Sequence, residues 1–521
     1  MSIAQLVKFN SLRKKEIDGT KSSYVRHPES NETPLAIYVV LLLHAHHRDR
    51  EIIEDLSKLG LCIGYHRVLT ISATLGNEAI SKYHNAGVVY PLNMERNVFT
   101  TCQVDNIDHD PQSTSALTSL HGTGISILQH PTYDGEGTAI EIESASECKT
   151  RKVDELPSYF TDVHPFNVNL ACIKLPHTNI TGISNESTLV NQLSNPDKIW
   201  LEHVTEAINQ SKKSQNVPIT WSAYNAEQSR IHNSSIVLTK TGLLPLFREP
   251  AHSAAMMKHA VDMIYKTTEF LNPGQCPVIH ADQPLYALLK QLQFSKPDLY
   301  GEDKLLVMMG GLHIEMLFLN ILGDFLEGSG WSMLVNMAGI TTSGRAESLL
   351  HASHVTRGRW VHQVTAAALH SLKQDSYNEY HSRINHEEDM SMKLLLSMEE
   401  WTQCQLKKIP QFFFWNEVLE LELITLMYIR SIHTSDFKLY VSSLIEMAPF
   451  VFAFDHTNYM RYIPIHIKDM IELPTKNPDI YREFLSGNFT AKKTLNPFSA
   501  IAEDHSHEQN NARIKGDGGA I

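Results

Sequence analysis

Apolar and polar positions change period several times along the chain. From Leu35, the run IYVVLLLHAHHRDREIIEDLSKLG is first continuously apolar and then amphipathic at helical spacing. It stops at Gly60, a residue suited to a helix C-terminus, so one helix is predicted there. A second is predicted over YHRVLTISATLGNEAISKYH, after the short turn LGLCIG. The pair reads as a helical hairpin packed on the core, with a helix-turn-helix as the alternative. Only His66 and Arg67 stand out as groups that could face DNA. Residues 1–34, polar and carrying SLRKKE and SNETP, read as a flexible lead-in.

A period of two follows. NVFTTCQVD (97–105), GTGISILQ (122–129) and GTAIEIES (137–144) alternate as strands do, and turn-forming residues separate them. Residues 145–235 keep no period and read as a long irregular insertion with short elements. Then SAAMMKHAVDMIYKTTEFL (253–271) is an amphipathic helix and CPVIHAD (276–282) a short buried strand. PLYALLKQLQF is a helix, DKLLVMMGGLH (303–313) another buried strand, and IEMLFLNILGDFLEGSG a helix. That order favours an α/β sheet with parallel strands. From 331 to 455 the pattern is helical throughout, and 456–521 holds further helices near HIKDMIEL and PDIYREFLSG. The domain plan is a lead-in (1–34), a helical domain (35–95), an α/β core (96–330), a helical insertion (331–455) and a C-terminal segment completing the core (456–521).

Composition narrows this picture. The 521 residues are 42% hydrophobic and 20% charged, which excludes a disordered, collagenous or coiled-coil chain. The net charge of −13 comes from the middle of the chain, so binding to nucleic acid would require a local basic face. Six cysteines stand without C-x-x-C spacing, which argues against a structural zinc site or a disulfide framework and for a reduced, intracellular protein. No signal peptide is evident, and the longest apolar run, AIYVVLLLHA, is half a membrane span, so no membrane is expected. The 28 histidines include HAHH at 44–47 and His505 and His507. A spacing of two on a helix points the last pair apart, which speaks against zinc.

Two acids sit where an α/β sheet places chemistry, at the carboxyl ends of strands: Asp105 after NVFTTCQV and Asp282 after CPVIHA. Glu508 follows much later, in EDHSHEQNN. Carboxylates converging from separate elements could hold two Mg²⁺ ions (or Mn²⁺) for phosphoryl transfer. Taken singly, each acid is equally an ordinary turn residue or helix cap. His313, after Gly310–Gly311, suits a phosphate contact, a metal neighbour or a helix cap.

The strings FTTCQVDNIDHDPQSTSA, SLHGTGISILQHP, MMGGLHIEMLFLNILGDFLEGSGW, FDHTNYMRYIPIHIKDM and NPFSAIAEDHSHEQNNARIKGDGGA resemble a large family of uncharacterised proteins, multiplied in marine invertebrate genomes. The resemblance covers about residue 35 to the end. The order strand-Asp, strand-Asp, helical insertion, Glu is in turn similar to hAT-type DDE transposases with an RNase H-like core. The resemblance implies an α/β fold of that type: a mixed sheet, with three antiparallel strands followed by two parallel ones, a large helical insertion and a helical N-terminal domain. It places catalytic, metal-holding acids at Asp105 (Asp108 as substitute), Asp282 and Glu508 (Glu503 or Asp504 as substitutes), with Mg²⁺ or Mn²⁺ as cofactor. It implies DNA as partner and a nuclear location. His313, Lys492, Lys493, Arg513 and Lys515, with Arg357 and Arg359, are the corresponding substrate contacts. Related transposon-derived proteins tend to carry an acid where Gly311 stands, and this chain carries no N-terminal zinc finger. The readings that follow are a Mg-dependent strand-transfer enzyme, its degenerate remnant, or a non-catalytic scaffold that binds nucleic acid or protein.

Overall fold

The computed structural model describes residues 2–11, 13–17, 21–25, 31–47, 49–109, 120–132, 135, 137–140, 151–168, 195–211, 219–232, 236–386 and 396–516. At its centre is a five-stranded mixed sheet: β1 (Thr100–His109), β2 (Leu120–Gln129), β3 (Lys240–Leu243), β4 (Val278–Ala281) and β5 (Leu306–Met309). The spatial order is β3-β2-β1-β4-β5. β1, β2 and β3 pair antiparallel, whereas β1–β4 and β4–β5 are parallel. In the register between the expected strands near 98–105 and 276–281, Cys102 stands opposite Ile279, Gln103 opposite His280 and Val104 opposite Ala281.

The third antiparallel strand differs from expectation. Within 137–144 only Thr138–Ala139 is a strand, pairing with Glu95–Arg96 outside the main sheet, and 141–144 lie outside the described residues. β3 comes instead from Lys240–Leu243. It is too short for alternation to show, and all four residues are only half-buried at the sheet edge.

Side chains alternate across β1, and both its faces are covered. Cys102 and Val104 enter the main apolar core, while Thr101, Gln103 and Asp105, also buried, belong to the opposite face. The helices are α1 (Pro34–His46), α2 (Arg50–Lys58), α3 (Tyr65–Ala86), α4 (Ala254–Leu271), α5 (Gln283–Ser295), α6 (Gly311–Leu326), α7 (Val355–His386), α8 (Pro410–Thr434), α9 (Phe437–Ala453), α10 (Thr457–Lys476) and α11 (Glu503–Gly516). α4 packs on β1, α5 on β4 and β5, and α11 on β1, β4 and α6.

The helix expected over 36–59 is two helices. Asp49 breaks it by accepting from the backbone N–H of Glu51 (2.8 Å) and Ile52 (3.1 Å), a capped restart that begins α2. Residues expected as a flexible lead-in include a helix at Ile3–Asn10, capped by reciprocal Ser2 and Gln5 bonds, and paired strands at Arg13–Ile17 and Lys21–Val25. Arg67 pairs with Glu32 at 2.9 Å, an engagement that suits a packed hairpin better than a DNA-reading helix. In the irregular stretch, helices Asn195–Ser211 and Trp221–His232 share an apolar cluster with α7 and α8. There Asp197 is buried, accepting from Trp221 Nε1 (2.8 Å) and pairing with Arg430 (3.0 Å).

Candidate functional site

The parallel register of β1 on β4 builds the site. Continued one residue beyond Val104–Ala281, it sets Asp105 beside Asp282. Asp105 stands in the middle of β1, not at its end, because the strand runs on to His109. Asp282 does follow the last residue of β4, and it caps α5, its Oδ1 accepting from Leu285 N–H at 3.0 Å. Both acids fall on the face that α11 crosses. That helix places Glu503 against Thr101, whose Oγ1 donates to Glu503 Oε1 at 2.6 Å, and His507 against Ser126 at 2.7 Å. Gly124 leaves room for this ring, since a Cβ there would stand 3.2 Å from His507 Cε1. Glu508, one residue further along α11, is half-buried and acts on Asp105.

Burial, then the charges of Asp282 and Glu508, push the Asp105 carboxyl up to about 8, against weaker opposition from His313 and Asn106 N–H. Burial also raises Asp282, while Leu285 N–H, His313 and His252 oppose it. Two carboxylates this close titrate as a pair, and the proton resides mainly on Asp105. Among the described residues, the charged groups that act most strongly on these two acids are carboxylates and imidazoles, with no Lys or Arg. The three predicted acids thus share one electrostatic neighbourhood despite their distance in sequence.

His313 does neither of its two expected jobs alone. Its Nδ1 bonds Asp504 Oδ2 at 3.0 Å, and that carboxylate also accepts from the backbone N–H of Leu312 (2.9 Å) and His313 (3.2 Å). Asp504, fully buried, therefore caps α6 from another helix. Gly310 permits the approach: a Cβ there would stand 2.4 Å from Asp504 Oδ2. Burial alone would lower His313, but Asp504, then Asp105 and Asp282, push it up to about 9, so the ring is charged at neutral pH. Gly311, where related proteins tend to carry an acid, packs its backbone under Tyr428, whose hydroxyl donates to Gly311 O at 2.7 Å. A Cβ at Gly311 would stand 2.9 Å from that of Ala502.

Glu503, one of the substitutes, lies deeper. His130 Nε2 stands 3.2 Å from Oε1 and His280 Nε2 3.3 Å from Oε2. Against the effect of burial, these imidazoles and Thr101 hold it below the usual carboxylate range. It anchors α11 to the sheet. His130 and His280 were not apparent from sequence, where each is a lone His in an apolar strand. The legible signal was in EDHSHEQNN, whose spacing of four pairs Glu503 with His507 and Asp504 with Glu508 along one helix.

The expected DNA contacts fare unevenly. Lys493 donates to Ser506 O (3.3 Å) and Gln509 Oε1 (3.1 Å), tying its loop to α11 beside Glu508. Lys492 is half-buried, which lowers its ammonium pKa. Arg359 is withdrawn from any DNA surface, because it forms a two-pronged pair with the buried Glu315, Nη2 to Oε2 at 2.6 Å. Arg357 is exposed on α7. The side chains of Arg513, Lys515 and Asp108 lie outside the described residues.

The donor set fits a divalent cation in its chemistry: oxygen ligands of like charge, one of them protonated for want of a counter-ion. It is not a closed cage, since among the described residues no three His, Cys, Asp or Glu side chains stand ready to share one metal ion. Residues 220–521, more than half the chain, match the profile of a family described as Domain of unknown function (DUF8702). The chain belongs to that family. The matched DUF8702 segment contains Asp282, His313, Asp504 and Glu508, whereas Asp105 and Glu32 precede it. No curated protein and no solved structure matches the chain. Among the described residues, no helix is long and apolar enough to cross a membrane.

Proposed function

We propose that the chain is a transposon-derived protein on an RNase H-like core, with Asp105, Asp282 and Glu508 as a site for Mg²⁺ or Mn²⁺ in DNA strand transfer. The observation that carries this reading is the pairing of β1 with β4 under α11. It puts three acids 177 and 226 residues apart into mutual repulsion, with a charged His313 beside them. The sheet, three antiparallel strands and then two parallel, and the helical run before the last acid support the same core. Bound there, the metal would activate an attacking oxygen and stabilise a leaving one. The chain's own part is to hold that charge between adjacent strands and one helix. Asp504 fixes the His313 ring as an imidazolium suited to a phosphate oxygen, and Lys493 flanks α11. Nuclear residence belongs to this reading.

The second reading, a non-catalytic scaffold for nucleic acid or protein, is favoured by the open metal geometry, by the capping role of Asp282 and by the burial of Arg359. Calorimetric titration of Mn²⁺ into wild type and Asp105→Asn separates the two. The metal-site reading expects saturable binding in wild type, weaker in the variant by about tenfold or more, the loss of one charged ligand. Absence of binding, or equal binding in both proteins, leaves the scaffold.

A further inference from the structure

Far from the acids, the helical insertion encloses a cavity of about 780 Å³ between the segment 329–340, α7 and α8. That is within the size range of sites for small organic ligands. Its walls are almost wholly apolar, with Trp331, Leu369, Phe412 and Trp415 prominent. Helical spacing makes the walls continuous: Thr365, Leu369, Leu372 and Ser376 line it from α7, and Phe412, Trp415 and Leu419 from α8. Met333 and Leu372, both lining residues, remain 60% and 63% exposed, so the cavity opens to water across an apolar rim. A filled hydrophobic core does not leave such a rim.

One charged side chain lines this cavity, Lys373. Its ammonium is half-buried and donates to a neutral acceptor, Asn416 Oδ1, at 2.8 Å. Among the described residues no carboxylate forms an ion pair with it, and burial lowers its pKa, with Glu420 opposing and Lys198 adding to the effect. A partly desolvated cation without a counter-ion, at the wall of an apolar slot, calls for an anionic head on an apolar body. We infer that this cavity binds a single-chain amphiphile of the fatty-acid class, its carboxylate on Lys373 and Asn416 and its chain along the Trp331–Leu369–Phe412 wall. A nucleotide or other polyanion does not fit, because the lining offers one cation and few other donors. The inference is independent of the metal site.

The probe is oleate, titrated calorimetrically into the full chain below its micellar concentration, with methyl oleate as the uncharged comparison. Oleate is expected to bind saturably at one site. Lys373→Met, which keeps the apolar volume, should weaken oleate by about tenfold, the value of a charge-assisted hydrogen bond, and leave methyl oleate unchanged. Ala368→Trp should fill the cavity and remove both; if that variant fails to fold, Lys373→Met still decides. Non-saturable binding, or acid and ester binding alike in wild type, overturns the inference. So does a self-associated chain whose dimer covers the slot and persists in oleate.

Discussion

Asp105 and its neighbours set a pH dependence whose sign can be worked out. Burial, then Asp282 and Glu508, lift Asp105 from its ordinary 3.8 to about 8. Between those values the folded chain holds a proton that the unfolded chain has released, so stability falls as pH rises through the interval. His313, which burial would lower but Asp504 raises to about 9, acts the same way at its own position. Its contribution is complete below 6.5 and disappears as pH rises through about 9. Glu503 and Asp504 oppose them at the acid end. Held below their ordinary values against burial, they stabilise above about pH 4 and lose that effect as pH falls further. The metal-free protein should therefore melt at a lower temperature at about pH 8 than at about pH 6. Asp105→Asn should flatten that difference by about 1 kcal/mol or more in a pH series of thermal melts. An unchanged slope would mean that Asp105 ionises normally and is not pressed by the other acids. Residue type made Asp105, Asp282 and Glu508 legible in the sequence, because strand-terminal and helix-borne acids stand out against apolar runs. Their partners did not stand out. Asp504 and Glu503 adjoin Glu508 in one polar string, and only the rotation of α11 against the sheet tells which carboxylate meets β1, which caps α6 and which binds two histidines.

At the level of elements, long periodic runs read correctly and short or interrupted ones did not. The strands β1, β2, β4 and β5 were each found within a few residues, and α4 and α5 nearly to their ends, because alternation or helical spacing persists over enough positions. β3 has four residues, one of them Gly242, and its place comes from pairing with β2, a long-range cause that no local pattern records. The start of α6 was put at Ile314, yet the helix begins at Gly311, because Asp504 caps it from nearly two hundred residues away. Gly310 is the point where that dependence can be tested. Its φ of −59° suits any residue, so Gly310→Ala costs nothing in backbone conformation. The cost is steric: the new methyl would stand 2.4 Å from Asp504 Oδ2 and 3.2 Å from His313 Nδ1. The helix start must move away from its cap, and destabilisation of about 1–3 kcal/mol is expected, read by denaturant unfolding. Gly344→Ala, where a Cβ meets nothing within 4 Å, is the control and should be neutral or slightly stabilising. Equal effects at the two glycines would remove the cap from the account of α6.

The whole molecule raises a different question, because the family match and the sheet do not share a boundary. The match begins at residue 220 and so contains β3, β4, β5 and every helix from α4 onward, but neither β1 nor β2. Those two strands are the centre of the sheet. β3 pairs only with β2, and β4 meets the antiparallel half only through β1. A chain cut at 220 would leave β3 without a neighbour and expose the inner edge of β4. It would also remove Cys102, Val104, Ile125 and Ile127 from the main core, and would strip Glu503 of Thr101 and His130 and His507 of Ser126. Glu503 would then be a carboxylate whose burial is no longer compensated on one side, which is strongly unfavourable. The matched segment is therefore a unit of sequence similarity and not a folding unit. Expressed alone, residues 220–521 should keep much of their helix by far-ultraviolet circular dichroism, melt without a cooperative transition and bind a hydrophobic dye, while the full chain melts cooperatively. A fragment that unfolds cooperatively without β1 and β2 would show that the sheet tolerates loss of its centre. The juxtaposition of Asp105 with Asp282 would then have no structural necessity behind it.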